Sequence, residues 1–316
     1  MRKLVSLTTL ALLLSTAQPA IAAPDVGEVR NFGPELSSRC NTPEGIAMDG
    51  PGNLYVSSLN INATSGPANI CVLDRAGEIA DVISVAPGAS GVSKLLGLLW
   101  VPGAGLYVGD VGSGRVLRID VESHEATVVA TGFGAPNAFA RDHAGNIWVS
   151  DSGPGTITKI ESDGTTTTFA YPVELAPRPG ESPPFGANGI AFDRAERNLY
   201  VAVTSRDEIY RIAHVDGSLG RIELFARGTA GGALDGADGI AFDVRGNLYV
   251  CSNQSDEVAV LSPEGDVVAE YIGTGTNAFN GPASLVFRGR SVYVANLGLF
   301  HPGPQKVSLF TAPYPG

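Results

Sequence analysis

Basic residues are scarce in this chain: 21 Lys and Arg stand against 32 Asp and Glu, a formal net charge of −11, and they form no cluster anywhere. A surface of that sign repels polyanions, so neither nucleic acid nor an anionic membrane is an expected partner. Long apolar runs are missing too. The one candidate, LVSLTTLALLL after Arg2 and Lys3, falls short of the roughly 20 residues that a membrane-spanning helix needs. It leads into AQPAIAAP, whose Ala20-x-Ala22 spacing is what a signal peptidase reads. Residues 1–22 are therefore expected to be a signal peptide, and the mature product to be periplasmic or secreted. No G-x-S-x-G nucleophile elbow, H-E-x-x-H zinc helix, Walker loop or dinucleotide fingerprint occurs. Cysteine appears only as Cys40, Cys71 and Cys251. Export permits a disulfide, but pattern alone leaves open whether Cys40 and Cys71 pair, and Cys251 in NLYVCSN reads as a buried strand thiol.

A 3.6-residue apolar period is also almost absent. In its place are 40 glycines, many β-branched residues, and short apolar strands broken by Gly/Asn/Asp turns, an all-β composition. One segment recurs six times: TPEGIAMDGPGNLYVSS (42–58), KLLGLLWVPGAGLYVGD (94–110), GAPNAFARDHAGNIWVSD (134–151), GANGIAFDRAERNLYVAV (186–203), GADGIAFDVRGNLYVCSN (236–253) and GPASLVFRGRSVYVAN (281–296). The period of about 49 residues suits a four-stranded propeller blade. Two further strands follow most copies, such as GRVLRID with ATVVATG. The last copy is followed by a single strand, KVSLFTA (306–312), while GEVRNFG (27–33) is an orphan at the other end. If the orphan completes the last blade, no sheet edge is left open. The expectation is a single domain over 23–316: a six-bladed β-propeller with four antiparallel strands per blade, its ring closed by the N-terminal strand. The Pro-rich stretch 171–186 does not break the phase and reads as a long loop.

Alternating strand direction puts the entry to strand one and the exit of strand two on one face, and strand one lines the central tunnel. The residue before GIAFD then points into the tunnel mouth once per blade. Around the ring that position is Glu44, Leu96, Asn137, Asn188, Asp238 and Ala283. Four oxygen donors converging on one axis suit a hard cation such as Ca2+.

With PEGIAMDGPGNLYV, NGIAFD and DGIAFD on the page, the chain resembles the six-bladed senescence marker protein, gluconolactonase and luciferin-regenerating-enzyme-like superfamily, which also includes diisopropyl fluorophosphatase. The resemblance implies a catalytic calcium on Glu44, Asn137, Asn188 and Asp238, and hydrolysis of a lactone or ester. In sugar-lactone members an Arg stands two residues before the middle-blade Asn and binds the polyol. Here that residue is Ala135, and blade two offers Leu96 to the substrate. A substrate less polar than a sugar lactone is therefore expected.

In the hydrolase reading Asp238 serves as general base or nucleophile. Leu96 contacts the substrate, and so does His301, which follows the second strand of the last blade on the metal face. His124, His143 and His214 are expected in exposed turns on the far face. The partner is a small molecule and the protein a monomer. The alternatives are a non-catalytic NHL-type binding propeller with a structural ion, and a lyase or synthase on the same scaffold. Substrate identity would be written in loops 59–69, 86–96, 171–186, 273–281 and 297–305.

Overall fold

The computed structural model describes residues 27–300 and 303–316; the expected signal peptide and His301 lie outside the described residues. Six four-stranded antiparallel sheets form, and the first five run in sequence order from the tunnel outward. The innermost strands are Pro43–Met48, Leu95–Val101, Pro136–Arg141, Ala187–Phe192, Ala237–Phe242 and Pro282–Arg288. The sixth sheet takes its outermost strand from the other end of the chain: Arg30–Phe32 pairs antiparallel with Val307–Thr311, Arg30 opposite Leu309. Ring closure is thus made by the N-terminal strand.

Blades stack face to face, so the inner strands are apolar on both faces. The second strands Leu54–Ser58, Ile147–Asp151 and Leu248–Ser252 are buried throughout. The outermost strands Ala126–Thr131 and Thr166–Ala170 are mostly exposed and threonine-rich, as sheet edges facing water should be. One apolar cluster fills each of the six gaps between neighbouring blades, for example Tyr55, Ile70, Leu98 and Leu106 between the first two and Trp148, Leu199 and Ile212 between the third and fourth. The core is a ring of wedges, and the tunnel mouth is the place where the wedges meet.

Cys40 and Cys71 form a disulfide with Cα atoms 6.0 Å apart, tying the segment before the first inner strand to the third strand of that blade. Cys251 is a buried free thiol. Two histidines lie where turns were expected: His124 pairs with Asp81 at 2.8 Å and His143 with Glu196 at 3.2 Å. His214 does not. It sits inside the strand Glu208–Val215, packed edge-on against Trp148 with centroids 5.5 Å apart. The hairpin with Ser218–Arg227 runs longer than its counterparts and draws that position into the sheet.

Candidate functional site

Every inner strand breaks register with its neighbour at the same place: between Pro43 and Ile46, Leu95 and Leu98, Pro136 and Phe139, Ala187 and Ile190, Ala237 and Ile240, and Pro282 and Ser284. A bulge inserts an extra residue and re-aims the side chain it carries. The residues set into these bulges are Glu44, Leu96, Asn137, Asn188, Asp238 and Ala283. In four blades the next residue is glycine. A Cβ on Gly45, Gly97, Gly189 or Gly239 would collide with the carbonyl of Leu96, Asn137, Asp238 or Ala283 respectively. Absence of a side chain there lets neighbouring inner strands close into a tight ring.

One residue further along, Ile46, Leu98, Phe139, Ile190, Ile240 and Leu285 form an apolar collar around a tunnel cavity of about 70 Å³. Above it lies a second cavity of about 50 Å³, where Glu44, Leu96, Asn137, Asn188 and Asp238 come together with Asn253. Ala283 is buried in an apolar cluster with Leu59, Leu96 and Leu297. Leu299 and Phe300, just ahead of His301, line the cavity wall, as do Pro183 and Phe185 from the long loop 171–186.

The amides are oriented by hydroxyls that sequence reading passed over. Ser152 Oγ donates to the Ala187 carbonyl at 2.6 Å and receives Asn137 Nδ2 at 3.0 Å. Thr204 Oγ1 donates to the Ala237 carbonyl at 2.8 Å and receives Asn188 Nδ2 at 2.9 Å. A hydroxyl has one proton, and here a carbonyl that can only accept takes it. Each amide must then present nitrogen to the hydroxyl, which leaves its oxygen free for the cavity. Asn253 completes the set by donating Nδ2 to Asp238 Oδ2 at 2.8 Å. The signal in the sequence was weak: these residues follow the repeated strand and differ from blade to blade.

Glu44 and Asp238 are each 3% exposed. Burial pushes Asp238 up to about 7, against hydrogen bonds from Asn253, Asn188 and the Gly239 N–H that act the other way. Glu44 is raised well above the usual carboxylate range by burial, with the charge of Asp238 adding to it. Glu44 Oε2, Asp238 Oδ1 and Asn253 Oδ1 are buried with no hydrogen-bond partner. No Lys or Arg is among the residues lining this cavity. Two like charges buried without a counter-charge cost several kcal/mol, and a divalent cation is the group whose binding would remove that cost. Among the described residues no cluster of three or more His, Cys, Asp and Glu exists. The donors here are two carboxylates and amide oxygens, a hard set that suits calcium better than zinc.

Because the hydroxyls fix which atom each amide shows, Ser152→Ala and Thr204→Val are each expected to weaken the affinity of this site for a divalent cation such as calcium by roughly tenfold or more, the usual effect of losing an outer hydrogen bond to a ligand. Calorimetric titration of the chelated protein checks this. Wild-type affinity in both variants would remove the hydroxyls from the site.

Residues 183–293 match the family model described as SMP-30/gluconolactonase/LRE-like region. That stretch contains Asn188 and Asp238 but neither Glu44 nor Asn137. No curated protein matches the chain. Solved structures share its fold over nearly its whole length. A gluconolactonase from Xanthomonas campestris is 18% identical and superposes with a TM-score of 0.68 over 94% of this chain and 93% of its own. Regucalcin from Agrobacterium tumefaciens, a calcium-binding protein, is 15% identical with a TM-score of 0.66 over 89% and 93%. Virginiamycin B lyase from Staphylococcus aureus is 15% identical with a TM-score of 0.62 over 90% and 99%.

Proposed function

We propose that this protein is an exported, monomeric, calcium-dependent hydrolase whose substrate is a lactone or ester less polar than a sugar lactone. The observation that carries this reading is the pair of buried carboxylates, Glu44 and Asp238, with unpartnered oxygens in one cavity beside two hydroxyl-oriented amides. The partial match to a gluconolactonase-type family model supports the reaction class. The Cys40–Cys71 disulfide supports an oxidising compartment. Ala135, buried at the place of the polyol-binding Arg, supports a substrate with few hydroxyl groups.

Glu44, Asn137, Asn188 and Asp238 would hold the cation, which when bound would polarise a substrate carbonyl and stabilise the charge that develops on its oxygen. Asp238 faces the same space with one free oxygen, Oδ1. As a carboxylate it takes a proton from an attacking water or attacks the carbonyl itself. Asn253 holds the other oxygen and so fixes the direction in which Oδ1 points. The wall of Leu59, Leu96 and Leu297 makes one flank of the cavity apolar.

Assaying purified mature protein against aliphatic lactones, sugar lactones, aryl esters and phosphotriesters, with calcium or with chelator, tests the proposal. Calcium-dependent turnover of aliphatic lactones or esters, exceeding that of sugar lactones, is the expected result. Binding of the ion with no turnover anywhere in the panel would favour the non-catalytic propeller. Chelator-resistant turnover would remove the ion from the chemistry.

A further inference from the structure

The mouth has a second ring, made by the residue that follows each second strand: Leu59, Val111, Ser152, Thr204, Asn253 and Leu297. Blades three to five supply polar groups there, and the same blades carry Asn137, Asn188 and Asp238. Blades six, one and two supply Leu297, Leu59 and Val111 beside Ala283 and Leu96. The two rings thus divide the mouth into halves, with Glu44 the one charged group on the apolar side. Leu59, Leu96, Ala283 and Leu297 form a single buried cluster, with Ile61 and Val111 packed against it. Two lysines stand near this half, and both are turned to loop carbonyls: Lys94 Nζ donates to Ile61 O at 2.7 Å and Lys306 Nζ to Thr276 O. At the entrance Phe185, Leu299 and Phe300 remain 37%, 39% and 38% exposed.

We propose that the substrate is amphipathic: a small lactone or ester head over the polar half, carrying an unbranched hydrocarbon tail that lies along Leu59, Leu96 and Leu297 and leaves past Phe185 and Phe300. This rests on the hydrolase reading for the chemistry of the head. The tail rests on the division of the mouth alone. The cavity of about 50 Å³ is small and is shared with the groups that would hold the cation, so only the reacting head enters it and the tail must run out along the rim. A charged or hydroxylated tail would lose its water to Leu and Phe side chains that return no hydrogen bond. The half-open aromatic side chains at the entrance are surface that a tail would cover.

The test is a series of γ-alkyl-γ-lactones from the tail-less ring to a nine-carbon tail. Each methylene buried on the apolar half is expected to raise kcat/KM roughly fourfold until the tail reaches solvent. Leu297→Thr and the surface variant Phe300→Ser are expected to flatten the dependence on tail length, read as the ratio of long-tailed to tail-less kcat/KM. Affinities for 2-alkylcyclopentanones of the same tail lengths, measured by calorimetry, give a parallel series that needs no turnover. If no lactone is hydrolysed yet cyclopentanone affinity climbs with tail length, the hydrolase reading fails and the apolar acceptor stands. If both series are flat in the wild type, or if neither variant alters the slope, the tail site is overturned.

Discussion

Asp238→Asn is expected to keep the propeller and lower turnover by roughly 10²- to 10⁴-fold, the range for a positioned acid or base. The fold should survive because the change is nearly isosteric and the neighbouring blade already carries Asn188 in the same bulge. Asn253 can follow the substitution by turning its amide over, since its Oδ1 has no partner to lose. An amide oxygen then still faces the cavity, beside the charge of Glu44, and remains a ligand for a hard cation. What disappears is the capacity to accept a proton or to attack as an anion. The measurement is turnover at saturating calcium with bound metal quantified, so that lost chemistry is separated from lost ion. Near wild-type turnover in metal-replete Asp238→Asn would remove Asp238 from the mechanism and make a metal-polarised water or His301 the next base to test.

The chelated protein is expected to lose stability as pH rises from the ordinary carboxylate range to about 7, and calcium is expected to restore it. Burial raises Asp238 from 3.8 to about 7 and lifts Glu44 as well. Over that window the folded state holds protons that the unfolded chain has released, so unfolding gains with each step in pH. The contribution is harmless below the unfolded value and complete above the folded one. At about 1.4 kcal/mol per unit the loss reaches several kcal/mol, a fall in Tm of the order of 10 °C for a chain of this size. Asp142, Asp163 and Glu223 are lowered by hydrogen bonds; their effect is already complete above the ordinary range and adds no slope between pH 5 and 8. Asp207 and Glu257 are also raised by burial, so Asp238→Asn serves as the control that isolates the contribution of Asp238. Melting curves at pH 5, 6, 7 and 8, with chelator and with calcium, decide it. A chelated wild type as stable at pH 8 as at pH 5 would show that the two carboxylates are not strained by burial.

Blade number and the bulge residues themselves were legible in the sequence because each rests on a local pattern repeated six times, and ring closure by 27–33 because the last blade was one strand short while one strand at the other end had no sheet. A position that stays in phase while its neighbours repeat announces itself: Asn188 and Asp238 differ inside otherwise shared GIAFD segments. The bulge that turns these side chains into the mouth had no such mark, since it is a property of the ladder between two strands. Ser152, Thr204 and Asn253 were missed for a related reason. Their role is set by the carbonyls of Ala187 and Ala237 and the carboxylate of Asp238, which reach them only across blades or strands. Pairing of Cys40 with Cys71 stayed open until the segment before the first strand was seen folded back on the third. His214 was misplaced because hairpin length, unlike strand pattern, varies from blade to blade.

The sequence by itself determined the architecture and which residue each blade contributes, since strand, turn and period are encoded within a few residues of one another. Only the tertiary structure decided what those contributions amount to together. Leu59, Leu96 and Leu297 become one apolar wall, and Glu44 and Asp238 one buried pair, only when the ring closes and brings distant segments around a common axis. Burial, the loss of water and the mutual repulsion of charges depend on that distance, which no local pattern carries.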